Sequence, residues 1–173
     1  MTNQSDSGIW IYAACLAAYN NGVLYGQWID ATQGVFAMQD AIAAMLAASP
    51  VPGAEERAIH DFEGFEGAPV DEWLGLDSVA SLAEFIAEHG RLGGGLVGCL
   101  SCITEAREAI AERYVGCYAS LADWAEELTE GQGDIPEHLA PYIDYERMAR
   151  DLAISDVFTV ETGLGEVHVF WSH

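Results

Sequence analysis

The clearest alternation of apolar and polar positions lies between residues 120 and 130. Apolar residues recur there at i, i+3, i+4 and i+7: Leu121, Trp124, Ala125 and Leu128. A second set has the same spacing on the opposite side and consists only of acids: Asp123, Glu126, Glu127 and Glu130. This pattern predicts an α-helix with one apolar face and one anionic face, and Ser120 is placed to cap its N-terminus.

The spacing of apolar residues predicts several further helices. They cover residues 35–48, 78–90, 104–114 and 145–152, with Gly90 ending the second and Asp144 capping the last. We expect the glycine cluster at residues 93–95 to separate the second of these helices from a short apolar helix at residues 96–103. Pro136 suits the first position of one more helix.

Other segments have the composition of β-strands. Residues 9–12 and 23–29 flank Asn20, Asn21 and Gly22, which tolerate a positive φ, so we expect a hairpin there. Residues 57–62 resemble a short strand, and residues 157–162 and 166–172 resemble a second hairpin with a three-residue loop. Together these elements predict an α+β fold, with mixed regions at both ends of the chain and a mainly helical middle.

Charge narrows the range of partners. The 173 residues include 28 Asp and Glu against six Arg and no Lys, a net charge of −22. Such a chain lacks the cations that sequence-independent nucleic-acid binding and anionic membrane surfaces require, so its partner should be cationic. Because 51% of the residues are hydrophobic, the chain has enough apolar surface to fold, and disorder does not explain the acids.

The acids are distributed unevenly along the chain. Residues 61–88 and residues 123–146 each contain eight acids and no base, whereas the first 54 residues contain three acids. Acids four residues apart on a helix, such as Asp123 with Glu127 and Glu126 with Glu130, cost about 0.2–0.5 kcal/mol per pair. The four acids of the 120–130 helix would place four charges on about 10 Å of its axis, or about one charge per 2.6 Å. This linear charge density lies between about one charge per 1.7 Å for a DNA duplex and about one per 3.4 Å for one of its strands. The spacing indicates a DNA-like field.

The acidic residues would also suit two different roles. Acidic chains without Lys occur in proteins adapted to high salt, where charge should cover the whole surface. Alternatively, His60, Asp61 and Glu63 would suit acid–base or metal chemistry. Cys99 and Cys102 form a C-x-x-C, a spacing typical of redox pairs and of half a zinc site.

No stretch of the sequence has the pattern of a targeting signal or a membrane span. The apolar run at residues 9–19 is too short to cross a bilayer and no basic residue precedes it. We therefore expect a cytoplasmic protein whose four cysteines remain thiols.

Several long blocks of the sequence resemble the ArdA antirestriction proteins. The resemblance begins with residues 11–22 and 26–31 and continues with residues 58–65. It is strongest in the C-terminal third, at residues 120–130, 135–139, 142–152 and 167–171. The similar blocks span nearly the whole chain.

The resemblance implies a homodimeric DNA mimic, encoded on mobile elements, that occupies the DNA-binding groove of type I restriction–modification enzymes, in their DNA-recognition and methyltransferase core. Stoichiometric occlusion of this groove would block DNA cleavage, and whether it also blocks modification stays open. Such a protein is an inhibitor without catalysis, metal or cofactor, and it binds neither nucleic acid nor membrane. The resemblance also implies an elongated chain of three small domains. We assign residues 1–61 to an α+β domain, residues 62–103 to a mainly helical domain and residues 104–173 to a second α+β domain.

The expected partner-binding residues are carboxylates. Those inherited from the antirestriction motif of the family are Asp123, Glu126, Glu127, Glu130, Asp134 and Glu137. The others follow from the charge pattern: Asp61, Glu63, Glu66, Asp71, Glu72, Glu84, Glu88, Glu105, Glu108 and Glu112. A separate β-prone stretch lies between acidic helices, and as an edge strand it would suit a dimer contact through Tyr114, Val115, Cys117 and Tyr118.

Overall fold

The computed structural model describes residues 8–133 and 135–173. It has the expected mixed α+β composition, with two three-stranded sheets. The chain forms two compact units, Met1–Gly94 and Gly95–His173. The three-domain division expected from the family resemblance stays a prediction.

The first unit is built on an antiparallel sheet. Its strands are β1 (Trp10–Cys15), β2 (Gly26–Asp30) and β3 (Arg57–Glu63), in the order β2-β1-β3. The central strand β1 alternates between half-buried and buried residues from Trp10 to Ala13, and its last three residues, Ala13–Cys15, are all buried. The end of the strand is therefore covered on both faces. The strand predicted at residues 57–62 is confirmed.

Helices connect the strands of the first unit and follow its last strand. They are α1 (Leu16–Asn20), a 3₁₀-helix (Ala31–Gln33), α2 (Val35–Ala47) and the beginning of α3 (Leu76–Leu100). The prediction for α2 is confirmed, and its core face consists of Met38, Ile42 and Met45. Gly90 interrupts α3 with a φ of 56° and a ψ of −137°, which confirms Gly90 as the end of a regular helical segment.

The glycine cluster at residues 93–95 does not separate two helices, so that prediction was wrong. The three glycines lie inside the second helical segment of α3. Gly93 and Gly94 are buried, and a Cβ at Gly94 would clash with the backbone of Glu66. The glycine therefore serves close packing of backbone segments, which a local pattern does not reveal.

The first hairpin was predicted only in part. β1 and β2 do pair antiparallel, with Ile11 opposite Ile29. However, α1 follows β1 directly, and the second strand begins at Gly26 instead of residue 23. The predicted turn is the end of this helix, because the N–H groups of Asn21 and Gly22 donate to the carbonyls of Ala18 and Tyr19.

The second unit places helices on another antiparallel sheet. Its strands are β4 (Tyr114–Tyr118), β5 (Val157–Gly163) and β6 (Glu166–Trp171), in the order β4-β6-β5. Its helices are α4 (Ile103–Glu108), which continues into a π-helical turn (Ala109–Arg113), α5 (Leu121–Gly131), a 3₁₀-helix (Ala140–Tyr142) and α6 (Tyr145–Ser155). The helices α5 and α6 pack against each other.

One core cluster joins α5 to the sheet of the second unit. Its buried members are Trp124, Val157 and Val169. The partly buried side chains packed against it come from β4, α5 and α6: Val115, Tyr118, Leu121, Leu128 and Leu152. Burial of this apolar surface fixes which face of α5 is turned to solvent.

Most elements of the second unit match the sequence predictions. The helices at residues 104–114, 120–130 and 145–152, the strand at 114–118 and the second hairpin are confirmed. The hairpin loop has two residues instead of three, because Gly163 pairs with Glu166. The apolar helix expected at residues 96–103 ends at Leu100, since Ser101 adopts a left-handed φ of 57°.

The prediction that an α-helix begins at Pro136 was wrong. The carbonyl of Pro136 accepts hydrogen bonds from the N–H groups of Leu139 and Ala140, which closes a single turn. Pro141 then offers no N–H to continue an α-helical ladder, and the chain forms the short 3₁₀-helix instead. Among the described residues, no helix combines the length and apolarity that crossing a membrane requires.

A candidate protein-binding surface of exposed carboxylates

The acidic helix α5 begins with a side-chain cap. The hydroxyl of Ser120 accepts a hydrogen bond from the Asp123 N–H at 3.1 Å and donates one to the Asp123 carboxylate at 2.7 Å. This arrangement satisfies a backbone donor that the helix leaves free, and it places Asp123 near the positive end of the helix dipole. The predicted cap is confirmed.

The two faces of α5 are separated as the sequence predicted. Trp124 is 3% exposed and Ala125 is 0% exposed. The four acids on the other side are all exposed, and we call them the acidic α5 face: Asp123, Glu126, Glu127 and Glu130. Within the described part of the chain, no Arg or His side chain forms a salt bridge with these four carboxylates. Their charge is directed to solvent.

The carboxylates of the acidic α5 face contribute to raised pKa values of two neighbouring tyrosines. The Tyr118 hydroxyl donates to Oε1 of Glu127 at 3.3 Å. Burial, the charge of Glu127 and this hydrogen bond raise the pKa of Tyr118. Burial and the charges of Glu126 and Glu130 raise the pKa of Tyr145 at the start of α6. The carboxylates thus disfavour additional negative charge around them.

A groove beside α5 collects carboxylates from separate parts of the sequence. Glu126 and Glu130 line it from α5, Glu137 lines it from the following turn, and Tyr145 lines it from α6. Its remaining lining residues are Gly133, Ile135 and Ala140, and its volume is about 370 Å³. Three of the six carboxylates assigned from the family motif therefore meet at one groove, while Asp134 lies outside the described residues.

Comparison with models of known protein families identifies the family of this chain. The family model of the antirestriction protein ArdA matches residues 11–166, nearly the whole chain. The chain belongs to the ArdA family. A search among individual curated proteins gives no match. Family membership implies an antirestriction function, and ArdA proteins are antirestriction inhibitors, not known enzymes.

The carboxylates predicted in the first unit of this ArdA protein are also exposed. They lie at the end of β3, in the segment after it and on α3: Asp61, Glu63, Glu66, Asp71, Glu72, Glu84 and Glu88. Three of them contact a basic or imidazole side chain at 3.8 Å: Glu66 with Arg91, Glu72 with His60, and Glu88 with His89. Of these contacts only that of Glu66 is with an arginine, which is always charged, so on this surface Glu66 faces a cation, unlike the four acids of the acidic α5 face.

The remaining carboxylates predicted in the second unit lie on α4 and on the π-helical turn after it. They are Glu105, Glu108 and Glu112, and all three are exposed. Over the whole described part of this ArdA protein, only Asp30 among the acids is half-buried, where its carboxylate accepts from the Thr32 N–H at 2.8 Å. The protein keeps its acids at the surface, where water solvates them.

Two alternative sites, the cluster at residues 60–63 and the C-x-x-C at residues 99–102, gain no support from the described residues. His60 stacks edge-on against Tyr19 with ring centroids 4.8 Å apart, and the Asp61 carboxylate accepts from the Phe62 N–H at 2.8 Å. Within residues 8–133 and 135–173, no three His, Cys, Asp or Glu side chains are grouped as metal ligands. Cys99 and Cys102 are free thiols on either side of the break between α3 and α4, a different context from the strand-to-helix setting of redox pairs.

The predicted dimer strand β4 does lie at a sheet edge. It pairs with β6 on one side, and Tyr114 and Cys117 are exposed. The Tyr114 hydroxyl lies 2.9 Å from Nδ1 of His168 on β6, which helps to fix the Tyr114 ring. The structure confirms the strand and its edge position, and the dimer contact stays a prediction.

Tyr145 is the groove residue that the sequence analysis missed. Its position directly after the cap Asp144 indicated only the start of a helix. Its contact with the acidic α5 face depends on how α5 and α6 pack, and the local sequence has no signal for that packing.

Proposed function

We propose that this ArdA protein is a DNA mimic that binds the DNA-binding groove of type I restriction–modification enzymes and blocks DNA cleavage by stoichiometric occlusion. The acidic α5 face is the observation that supports this proposal. Its four exposed carboxylates lie along one helix without a salt bridge to any described cation, and the opposite face of that helix is anchored in the core.

The physical basis of the proposal is charge complementarity. On α5 the four carboxylates lie within about 10 Å of helix axis, a linear charge density comparable with that of DNA. A groove that evolved to bind phosphates presents Arg and Lys, which attract such a surface over a distance and speed its association. The second unit exposes four further carboxylates of the predicted surface, Glu137, Glu105, Glu108 and Glu112, and Glu137 shares a groove with Glu126 and Glu130.

The proposal includes the finer assignments that the family suggests. The protein acts in the cytoplasm without catalysis, metal or cofactor, since occlusion requires no chemical step. It acts as a homodimer through the edge strand β4, whose outer backbone groups offer a pairing surface to a symmetry mate. The exposed carboxylates of the first unit contribute to the mimic through further contacts, each of small energy.

A cleavage assay with purified components tests the proposal. Purified type I enzyme and an unmodified DNA substrate are incubated with increasing amounts of the ArdA protein. We expect cleavage to stop at a stoichiometric ratio, and excess DNA or raised salt to restore it, because both weaken the competition by the acidic surface. Inhibition that excess DNA fails to relieve would contradict a mimic.

Two variants with equal net charge separate location from total charge. The first neutralises the acidic α5 face with Asp123→Asn, Glu126→Gln, Glu127→Gln and Glu130→Gln. The control neutralises four exposed acids that lie outside the predicted surface, with Asp40→Asn, Glu55→Gln, Glu56→Gln and Glu161→Gln. We expect the first variant to lose inhibition and the control to retain it.

Single substitutions test whether the contacts are distributed. Because exposed ion pairs contribute only about 0–1 kcal/mol each, Glu126→Gln or Glu127→Gln alone should weaken inhibition only several-fold. A single neutralised carboxylate that abolishes inhibition would instead indicate one dominant contact, and the distributed mimic would be wrong.

A further inference from the structure

Two large apolar side chains are exposed shortly after the acidic α5 face. Leu139 is 48% exposed and Tyr142 is 84% exposed. They lie three residues apart where the chain enters the 3₁₀-helix Ala140–Tyr142. Because a 3₁₀-helix has three residues per turn, side chains at i and i+3 lie one above the other. The two exposed side chains therefore lie on the same side of this turn, and we call this pair the apolar turn.

The backbone holds the apolar turn in place. The Leu139 N–H donates to the Pro136 carbonyl at 2.8 Å, and the Tyr142 N–H donates to the Leu139 carbonyl at 2.9 Å. Pro136 and Pro141 restrict their own φ angles and limit the conformations of the residues before them. A preorganised segment loses less conformational entropy when it binds, so its apolar surface contributes more of its burial energy to affinity.

The surroundings of the apolar turn indicate the chemistry of its partner. Glu137 and Ala140 are also three residues apart, and both line the groove that Glu126 and Glu130 line from α5. The same short segment therefore supplies a carboxylate to the acidic groove and exposes apolar side chains within two residues of Glu137 and Ala140. A complementary partner has cationic side chains next to an apolar recess. A second copy of this chain fits poorly, because it would bring two sets of these carboxylates together.

We propose that the apolar turn is an anchor that inserts Leu139 and Tyr142 into an apolar recess beside the basic groove of the partner enzyme. This inference rests on the proposed function, since the partner is the same restriction–modification enzyme. It adds a component of affinity that charge mimicry does not supply. Attraction between charges weakens as salt is raised, whereas the burial of apolar surface does not depend on screening.

Binding measured over a range of salt separates the two components. The full-length protein is titrated into the purified methyltransferase core of a type I enzyme at NaCl concentrations from about 0.05 to 0.5 M, a range over which the Debye length falls about threefold. We expect Tyr142→Ala to raise Kd roughly tenfold at every salt concentration, the size of a well-buried aromatic contact. The slope of log Kd against log salt should stay unchanged.

Matched variants control for the nature of the side chain. Leu164, at the turn between β5 and β6, is fully exposed, and Leu164→Ala should leave Kd unchanged whereas Leu139→Ala raises it severalfold. Glu126→Gln combined with Glu130→Gln should instead reduce the salt slope. Because Tyr142 and Leu139 are exposed, their replacement by alanine should leave the melting temperature unaltered.

The possible results distinguish this inference from the proposed function. If the wild-type protein does not bind the enzyme at any salt concentration, the proposed function is wrong, and the anchor is wrong with it. If the wild type binds but Tyr142→Ala and Leu139→Ala bind equally well, only the anchor is overturned. If these variants change self-association in sedimentation and not enzyme binding, the occupant is a second copy, which also overturns the anchor.

Discussion

The helices α5 and α6 are close neighbours with opposite charge patterns. Each has 11 residues, begins at a side-chain cap, Ser120 or Asp144, and packs on the core of the second unit. On α6, Glu146 and Arg150 lie at i and i+4, as do Arg147 and Asp151, so opposite charges face each other. On α5 the same spacing pairs acid with acid.

This difference bears on why the chain is acidic. If salt adaptation alone determined surface charge, both helices should be acidic over their exposed faces. Instead, the protein uses two of its six Arg residues on α6 and none on α5. Of these two neighbouring helices only α5 has an exposed face made entirely of acids, which favours selection for a binding surface over salt adaptation alone, because like-charge pairs reduce helix stability.

The largest expected effect concerns how the two helices are anchored. α5 buries Trp124 and Ala125, whereas α6 buries only Ala149. The Trp124 ring contacts the Trp171 ring with centroids 5.5 Å apart and packs with Val157 and Val169. Trp124→Ala should therefore lower the free energy of unfolding by about 3–5 kcal/mol.

Leu152→Ala is the matched change on α6. Leu152 is only partly buried against the same cluster, so its replacement should cost clearly less than that of Trp124. Chemical denaturation followed by circular dichroism measures both losses, and hydrogen exchange of the β4, β5 and β6 amides assigns them to the second unit. Equal losses for the two variants would show that α5 is no better anchored than α6.

Neutralising exposed acids should change the free energy of unfolding less than Trp124→Ala does, and in opposite directions on the two helices. Glu126→Gln, Glu127→Gln and Glu130→Gln together remove both like-charge pairs of α5 and leave Asp123 in the first turn. We expect the free energy of unfolding to rise by about 0.4–1 kcal/mol, the sum of two pairs.

The corresponding variant of α6 combines Glu146→Gln with Asp151→Asn. It removes two opposite-charge pairs, so the free energy of unfolding should fall by about 0.4–1 kcal/mol. Urea denaturation at low and high salt checks both variants, because both effects should shrink as salt screens the charges. If the α5 variant were also destabilised, the like-charge pairs would not be a cost, and stability would be a sufficient reason for them.

Local sequence was enough to predict the acidic α5 face but not the groove beside it. The period of 3.6 residues and the Ser120 cap are contained in a dozen consecutive residues, and they determine both faces of α5. The groove depends on Glu137 and Tyr145 reaching the same place as Glu126, and this follows from the turn after α5 and the packing of α6. Neither is specified by a periodic pattern.

The glycine and proline positions show the same limit. Gly90 ends a regular helical segment as predicted, since a left-handed conformation is a local property. Gly94 is also a glycine, but it is required for a different reason. A Cβ there would clash with the backbone of Glu66, which is far away in sequence. Pro136 was consistent with the start of an α-helix. Pro141, five residues later, has no N–H for an α-helical hydrogen bond, and the segment there is a short 3₁₀-helix.

The smallest expected effect uses Tyr145 on α6 as a reporter of the field of α5. Burial raises the pKa of Tyr145, and the charges of Glu126 and Glu130 raise it further. Glu126→Gln with Glu130→Gln should therefore lower the pKa of Tyr145, whereas Glu146→Gln on α6, which is not among the causes of the shift, should change it less. Ultraviolet absorbance titration measures the pKa, with Tyr145→Phe identifying the contribution of this tyrosine.

The direction of the stability change in base follows from the same shift. An unfolded tyrosine loses its proton near pH 10, and the folded Tyr145 loses it at higher pH. The contribution of Tyr145 to stability is thus complete below the unfolded pKa and is lost as pH rises through the folded pKa. The wild type should lose more stability than Tyr145→Phe over this range. If neutralising Glu126 and Glu130 left the pKa unchanged, burial alone would set it, and the charge of α5 would not extend to its neighbour.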